Sequence, residues 1–137
     1  MALETYTGTC HCGAIRFEAQ ADPAKAGVCH CTDCQSLTGS AFALFLQVPK
    51  EAFRLTAGEP KIYVKTAESG NRRAQAFCAH CGSRLWASAE KDSPLFNLRI
   101  GTLRERAELP PRSQVWCRSA LPWINELGRV PGKAQGA

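Results

Sequence analysis

The chain has 137 residues, 45% of them apolar, and a formal net charge of +5 at pH 7. These values predict one globular domain with its own buried core, and the longest apolar run, residues 41–46, is too short to span a membrane. The basic residues are scattered, with Arg72 and Arg73 as their only adjacent pair, so the sequence lacks the basic stripe of a nucleic-acid-binding protein.

Short segments rich in alternating, branched or aromatic residues predict a succession of strands. Ile15 and Phe17 alternate with polar neighbours and should share one buried face. A later apolar segment predicts a buried strand that ends at Pro49. The predicted strands cover residues 14–18, 41–48, 53–56, 61–65, 73–77, 83–87, 95–100 and 114–117.

Two turn signals lie between these strands. The sequence Ala-Gly-Glu-Pro at 57–60 predicts that the strands at 53–56 and 61–65 form a hairpin. The sequence Ser-Gly-Asn at 69–71 predicts a second turn.

Helix signals are scarce. One helical turn is predicted over 32–37, with Thr32 or Asp33 as its cap, and another over 122–127. We therefore predict an all-β fold. The predicted organisation is a single domain over residues 1–127 with a flexible tail over 128–137.

Seven of the eight cysteines lie in three tight clusters, and their spacing suits metal ligands. The chain begins with no basic region followed by an apolar stretch, so we expect a cytoplasmic protein. In a reducing compartment this density of cysteine favours metal or redox chemistry over disulfides. The clusters are Cys10-x-Cys12, Cys29-x-Cys31-x-x-Cys34 and Cys78-x-x-Cys81.

Seven thiols divide into one closed zinc site and one open site, because structural zinc takes four protein ligands and catalytic zinc takes three. A glycine follows Cys12 and Cys81, as in a zinc knuckle, whereas Gln35 follows Cys34. This difference predicts a structural zinc site formed by Cys10, Cys12, Cys78 and Cys81. With two zinc ions and seven thiolates the net charge falls to roughly +2.

The remaining cluster, Cys29, Cys31 and Cys34, predicts a second zinc ion with a free fourth position. Such an ion binds an incoming thiol and lowers its pKa. Three ligands hold zinc less firmly than four, so we expect this ion to be lost more readily. Two alternatives stay open: a closed site completed by Cys117 or a histidine, and a metal-free redox trio.

The clusters belong to longer motifs, GTCHCGAIRF at 8–17, CHCTDCQSLTGSAF at 29–42 and FCAHCGSRLW at 77–86. With Gly101-Thr-Leu103 and Trp123, these motifs resemble the glutathione-dependent formaldehyde-activating enzyme family over about residues 5–125. The resemblance implies a zinc-bound all-β fold called a β-tent, with the four-cysteine site structural and the three-cysteine site catalytic. It also implies a carbon–sulfur lyase that reversibly joins formaldehyde to glutathione as S-hydroxymethylglutathione.

The hypothesis for the mechanism is that a thiol, bound as thiolate, attacks a small aldehyde held beside it. His30 and Asp33 are candidate proton donors by position, and a structural or solvent-facing role is the alternative for each. Ser40 is a candidate hydrogen-bond partner of substrate or a turn cap. Arg72 and Arg73, with Arg84 and Arg99, are candidates for the carboxylates of glutathione, with surface solvation as the alternative.

Two residue types carry plainer expectations. The tryptophans at 86, 116 and 123 are expected in the core, with a platform for ligand as the alternative, and Cys117 is expected to be a buried apolar thiol.

A competing function is a zinc-stapled binding or scaffold module without turnover. A fourth protein ligand at the three-cysteine site would favour it, because a scaffold needs no open coordination position. A methionine sulfoxide reductase of related fold would need a separate redox cysteine, for which only Cys117 is available. The expected partners of the enzyme are a small-molecule thiol and an aldehyde, with no nucleic acid or membrane.

Overall fold

The computed structural model describes residues 3–136, and strands are its main element. The strands are β1 (Glu4–Thr9), β2 (Arg16–Ala21), β3 (Ala26–Cys29), β4 (Ala43–Pro49), β5 (Phe53–Ala57), β6 (Lys61–Thr66), β7 (Arg72–Phe77), β8 (Arg84–Ala89), β9 (Leu95–Arg99) and β10 (Ser113–Val115). The α-helix in this part of the chain is α1 (Thr32–Thr38). Short 3-10 turns occupy Pro23–Lys25, Lys50–Ala52, Ile100–Thr102, Arg106–Glu108, Cys117–Ser119 and Ile124–Arg129.

The strands form two sheets. A small antiparallel sheet has the order β1-β2-β5, and a large sheet has the order β10-β3-β4-β9-β8-β7-β6. In the large sheet β10 runs parallel to β3, and the other pairs are antiparallel. The all-β prediction is confirmed, and so is the turn at 69–71, which joins β6 to β7.

The predicted hairpin around 57–60 is wrong. β5 pairs with β2 in the small sheet, whereas β6 pairs with β7 at the edge of the large sheet. The turn residues instead carry the chain from one sheet to the other. Gly58 has φ +77° and passes close to the backbone oxygen of Ala14, an approach that a side chain would obstruct.

The core lies between the two sheets and is centred on aromatic rings. Phe17 contacts Trp86 edge to face at 5.4 Å between ring centroids, and Phe53 contacts Trp86 at 4.8 Å. Each such pair contributes about 0.5–1.5 kcal/mol beyond the area it buries. The predicted burial of Ile15, Phe17 and Trp86 is therefore confirmed.

Other expectations of burial are wrong. Trp116 and Trp123 are 40% and 49% exposed, and Cys117 is an exposed thiol. All three belong to the segment after β9, where short 3-10 turns leave little sheet for them to pack on. The large sheet packs one face against the core. Its other face carries the site described below. In residues 3–136, no helix has both the length and the apolar character needed to cross a bilayer.

Candidate metal centres and the cleft beside them

The four-cysteine centre joins the loop after β1 to the loop after β7. The sulfurs of Cys10, Cys12, Cys78 and Cys81 all lie within 4.8 Å of one another. The Sγ atoms of Cys10 and Cys12 are 3.6 Å apart, and those of Cys12 and Cys78 are 3.8 Å apart. Four sulfurs at about 2.3 Å from a tetrahedral zinc ion would be separated by about 3.7–3.8 Å, so this donor set fits zinc.

Backbone geometry explains how these loops gather sulfur. Gly13 and Gly82 have φ +83° and +78°, the left-handed region that glycine adopts without strain. The N–H of Ile15 donates to Cys10 Sγ at 3.3 Å. Hydrogen bonds from Ser83 lower the pKa of Cys81 to about 5, which favours the thiolate form that binds metal.

The three-cysteine centre lies where β3 meets α1. The sulfurs of Cys29, Cys31 and Cys34 lie within 4.8 Å of one another. Cys31 is the N-cap of α1, and its Sγ accepts the N–H of Cys34 at 3.2 Å. The predicted cap, Thr32 or Asp33, is therefore wrong by one or two residues. A sulfur takes the place of the usual oxygen acceptor, and this bond folds Cys34 back towards Cys31.

Two of the three thiols, Cys29 and Cys34, differ in acidity because they interact with each other. The Cys34 thiol lowers the pKa of the neighbouring Cys29 to about 5, while the same interaction raises the pKa of Cys34. The pair thus favours one thiolate, at Cys29, and thiolate is the form in which cysteine binds zinc. In the part of the chain that the structure describes, no fourth Cys, His, Asp or Glu ligand atom joins this group.

A cleft of about 420 Å³ opens from the three-cysteine centre across the outer face of the large sheet. Its cationic side chains come from β6, β7 and β9, and its apolar side chains come from β4, β8 and β10. The lining includes Lys65, Arg73, Arg99, Gln75, Asn97, Phe45, Ala87, Val115 and Trp116. The Asn97 side-chain oxygen is buried and has no hydrogen-bond partner in residues 3–136.

Two of the cations in the cleft have no carboxylate partner among residues 3–136. No carboxylate lies within 4.0 Å of Arg73 or Arg99 in this range. Burial lowers the pKa of both guanidinium groups. Because a partly buried charge without a counter-charge is costly, these two guanidinium groups favour negative charge in the cleft, either from the cysteine thiolates or from a ligand.

Trp116 forms one wall of the cleft. Its backbone has φ +57°, which is uncommon for a residue other than glycine. The Arg118 guanidinium lies 5.0 Å from the indole centroid and pairs with Glu68 at 2.6 Å. This contact chain ties Trp116 to the turn between β6 and β7, on the opposite side of the cleft.

The two candidate proton donors have different surroundings. Asp33 lines a neighbouring cleft of about 270 Å³ that also reaches Cys31 and Trp116, and its carboxylate accepts a hydrogen bond from Lys65 Nζ at 2.9 Å. His30 is 2% exposed and does not line the cleft. Its Nε2 lies 2.8 Å from the side-chain oxygen of Gln114.

The candidate substrate contacts are only partly brought together. Arg73 lines the main cleft, whereas Arg72 lies outside it and pairs with Glu90 at 2.8 Å. Ser40 lines a separate cleft of about 300 Å³ with Arg84. Sequence reasoning did not identify Lys65, Gln75 and Asn97. Each is a polar residue on a strand, on β6, β7 and β9 respectively. This pattern identifies a shared polar face only when the order of the strands in the sheet is known.

Comparison with known proteins identifies relatives by sequence. Residues 5–119 match the sequence profile of the glutathione-dependent formaldehyde-activating enzymes. A Penicillium rubens protein that carries this name provisionally is 33% identical over 91 residues, which are 65% of this chain and 47% of that protein. A Fusarium vanettenii protein with the same provisional name is 26% identical over 89 residues, with the same two coverages. The chain thus spans about half the length of these curated relatives.

A solved structure supports the fold. The crystal structure of a Rhodobacter sphaeroides protein aligns with a TM-score of 0.62 and 19% sequence identity. The alignment covers 80% of this chain and 99% of that one. At this identity the similarity shows a shared architecture.

Proposed function

Because this chain belongs to the glutathione-dependent formaldehyde-activating enzyme family, we propose that it is a zinc-dependent carbon–sulfur lyase. It would reversibly add a thiol, glutathione or a similar molecule, to formaldehyde or another small aldehyde. The observation that carries the proposal is the three-cysteine centre. Its sulfurs can share one ion, no fourth protein ligand joins them among residues 3–136, and a cleft opens directly from them.

A zinc ion held by Cys29, Cys31 and Cys34 would supply a Lewis acid that keeps a thiol ionised near neutral pH. The other residues of the cleft would bind and orient the two reactants. Arg73 offers an unpaired guanidinium to a carboxylate of the thiol substrate. Trp116 shields one side of the cleft from water. Holding both small molecules together removes much of the entropic barrier to their reaction.

The reaction requires one proton to move and no change of oxidation state. The thiol loses its proton as it binds, and a new C–S bond forms as the aldehyde C=O π pair moves onto oxygen. That oxygen then takes up a proton. We assign this transfer to the pair formed by Lys65 Nζ and Asp33, since Lys65 lines the cleft and Asp33 holds it at 2.9 Å. His30 is the weaker candidate because its Nε2 is directed to Gln114.

The four-cysteine centre would bind the second zinc ion in a structural role. Its four sulfurs would supply all four ligands of a zinc ion without substrate, and its glycine-containing turns resemble zinc knuckles. The three-cysteine centre would exchange its ion more easily because it supplies one ligand fewer.

Exchange spectroscopy by NMR tests the proposed activity. We expect the zinc-loaded protein to accelerate the exchange of formaldehyde with S-hydroxymethylglutathione. Cys31→Ser should reduce this acceleration by at least about 100-fold, because replacing a direct ligand disturbs a metal site more than the 10- to 100-fold cost of losing a residue that only supports a ligand. Cys117→Ser is the matched control, because Cys117 is exposed and lies outside both clusters.

Metal content must be measured for each protein in this experiment. Equal exchange by the wild type and the Cys31→Ser variant, or none above the uncatalysed rate with both sites loaded, would reject the lyase. The second result would favour a non-catalytic binding module.

A further inference from the structure

Arg99 is a cation at the cysteine end of the cleft, and no carboxylate neutralises it in the described chain. It extends from the end of β9 and lines the same cleft as the three thiols. Its closest hydrogen-bond acceptor is the neutral Gln75 side chain, at 3.4 Å from Nη2. Burial lowers the pKa of Arg99, and the negative charge of Cys34, Cys29 and Cys31 opposes that shift.

A guanidinium that is largely withdrawn from water, as Arg99 is, favours a compensating negative charge beside it. At Arg99 the groups that can supply it are the three sulfurs. Three thiolates around a divalent cation leave one net negative charge, and a fourth thiolate from substrate would make it two. Repulsion within such a group would weaken the binding of the fourth sulfur unless a cation lies beside it.

We propose that Arg99 is the counter-charge of the three-cysteine centre, the residue that allows this centre to accept a fourth, negatively charged sulfur from the substrate. The inference rests on the proposed function, because it assumes that a thiol enters this centre. Arg99 is accordingly a positioning residue, which acts through the electrostatic potential at the sulfurs. Arg73, farther along the sheet on β7, serves the carboxylates of the substrate.

The chain offers a matched control in Arg84. Its Nη2 lies 3.5 Å from the same Gln75 oxygen that Arg99 contacts, and burial likewise lowers its pKa. Arg84 does not line the cleft that contains the three cysteines. Replacement of either arginine removes a partly buried positive charge that contacts Gln75. Of the two arginines, only Arg99 lines the cleft that contains the thiols.

The experiment uses protein loaded with Co²⁺ at both centres and follows thiol binding by sulfur-to-cobalt charge-transfer absorbance. Two thiols are titrated: 2-mercaptoethanol, which carries no carboxylate, and glutathione. We expect Arg99→Gln to weaken the binding of both thiols by about 10- to 100-fold, the range for one charge a few ångströms away. Arg99→Lys should restore most of the affinity, and Arg84→Gln should bind both thiols like the wild type.

Several results would overturn the inference. Wild-type affinity in Arg99→Gln would show that the charge is not needed. A loss confined to glutathione would make Arg99 a carboxylate-binding residue, and an equal loss in Arg99→Lys would show that charge is not the property that matters. If Arg99→Gln does not fold, Arg99→Met provides the uncharged variant, since an apolar side chain suits a buried position. Failure of the wild type to bind either thiol would instead reject the proposed function.

Discussion

The ionisation of one buried side chain, the phenol of Tyr6 in the small sheet, makes the stability of the protein depend on pH. Tyr6 is 2% exposed on β1, and its hydroxyl donates to a Glu4 carboxylate oxygen at 3.0 Å. Burial disfavours the phenolate and, together with that carboxylate, raises the pKa of Tyr6 from 10.0 to about 12. The neutral phenol therefore contributes stability that is fully present below pH 10 and is lost as the pH rises towards 12.

Tyr6→Phe tests this dependence because phenylalanine cannot ionise. We expect the free energy of unfolding of the wild type, relative to Tyr6→Phe, to fall between about pH 10 and pH 12 in urea titrations. Tyr63→Phe is the matched control, since Tyr63 is 52% exposed on β6. Parallel pH profiles for the wild type and Tyr6→Phe would contradict the raised pKa.

Single residues also show which parts of the site the sequence could predict. The cysteine clusters were predictable because spacing and a following glycine are local properties of the chain. Arg99 was one of several candidate arginines, and its special position follows from the pairing of β9 with β4 and β8. Gln75, which contacts it, was not identified at all. Long-range register decides which side chains share a face, and no local pattern contains that information.

The connection between β5 and β6 shows that local sequence patterns also fail to determine which strands pair. Two strands separated by a Gly- and Pro-containing turn are a typical hairpin signal. Here β2 already presents a free edge to β5, and the turn redirects the chain to the edge of the large sheet. The strands β1 and β3 were not predicted. β1 has Tyr6 as its only apolar residue, and β3 has four residues that are mostly small.

Gly58 should be essential for this change of sheet. An alanine Cβ there would overlap the Ala14 oxygen and lie 2.9 Å from Ile15 Cγ1, and the φ of +77° would be strained as well. We expect Gly58→Ala to lower the free energy of unfolding by about 2–4 kcal/mol, the sum of backbone strain and a packing clash. Denaturant titration provides the measurement.

Gly70→Ala separates the two contributions. Gly70 has φ +90°, but a methyl group added there would meet no atom within 4 Å, so only the backbone strain applies. We expect Gly70→Ala to lower the free energy of unfolding by about 1 kcal/mol. Equal losses in the two variants would show that the contact with Ala14 does not constrain the link.

At the scale of the whole molecule, the four-cysteine centre connects the two sheets. Cys10 and Cys12 lie in the loop between β1 and β2 of the small sheet, and Cys78 and Cys81 lie between β7 and β8 of the large sheet. A shared metal ion would close a loop of 66 residues between Cys12 and Cys78. The three-cysteine centre closes only a short local segment. Loss of the two metals should therefore affect stability very differently.

Double variants test this difference. Replacing Cys78 and Cys81 by serine should lower the free energy of unfolding by about 4 kcal/mol, the value for releasing a cross-link over a loop of this length. Replacing Cys29 and Cys31 should lower it by only about 2 kcal/mol, since the metal at this centre closes only the short segment from Cys29 to Cys34. Calorimetry with a chelator provides an independent measurement: chelation should further destabilise the second variant much more than the first. If both variants unfold alike, the four-cysteine centre is not what fastens the small sheet to the large one.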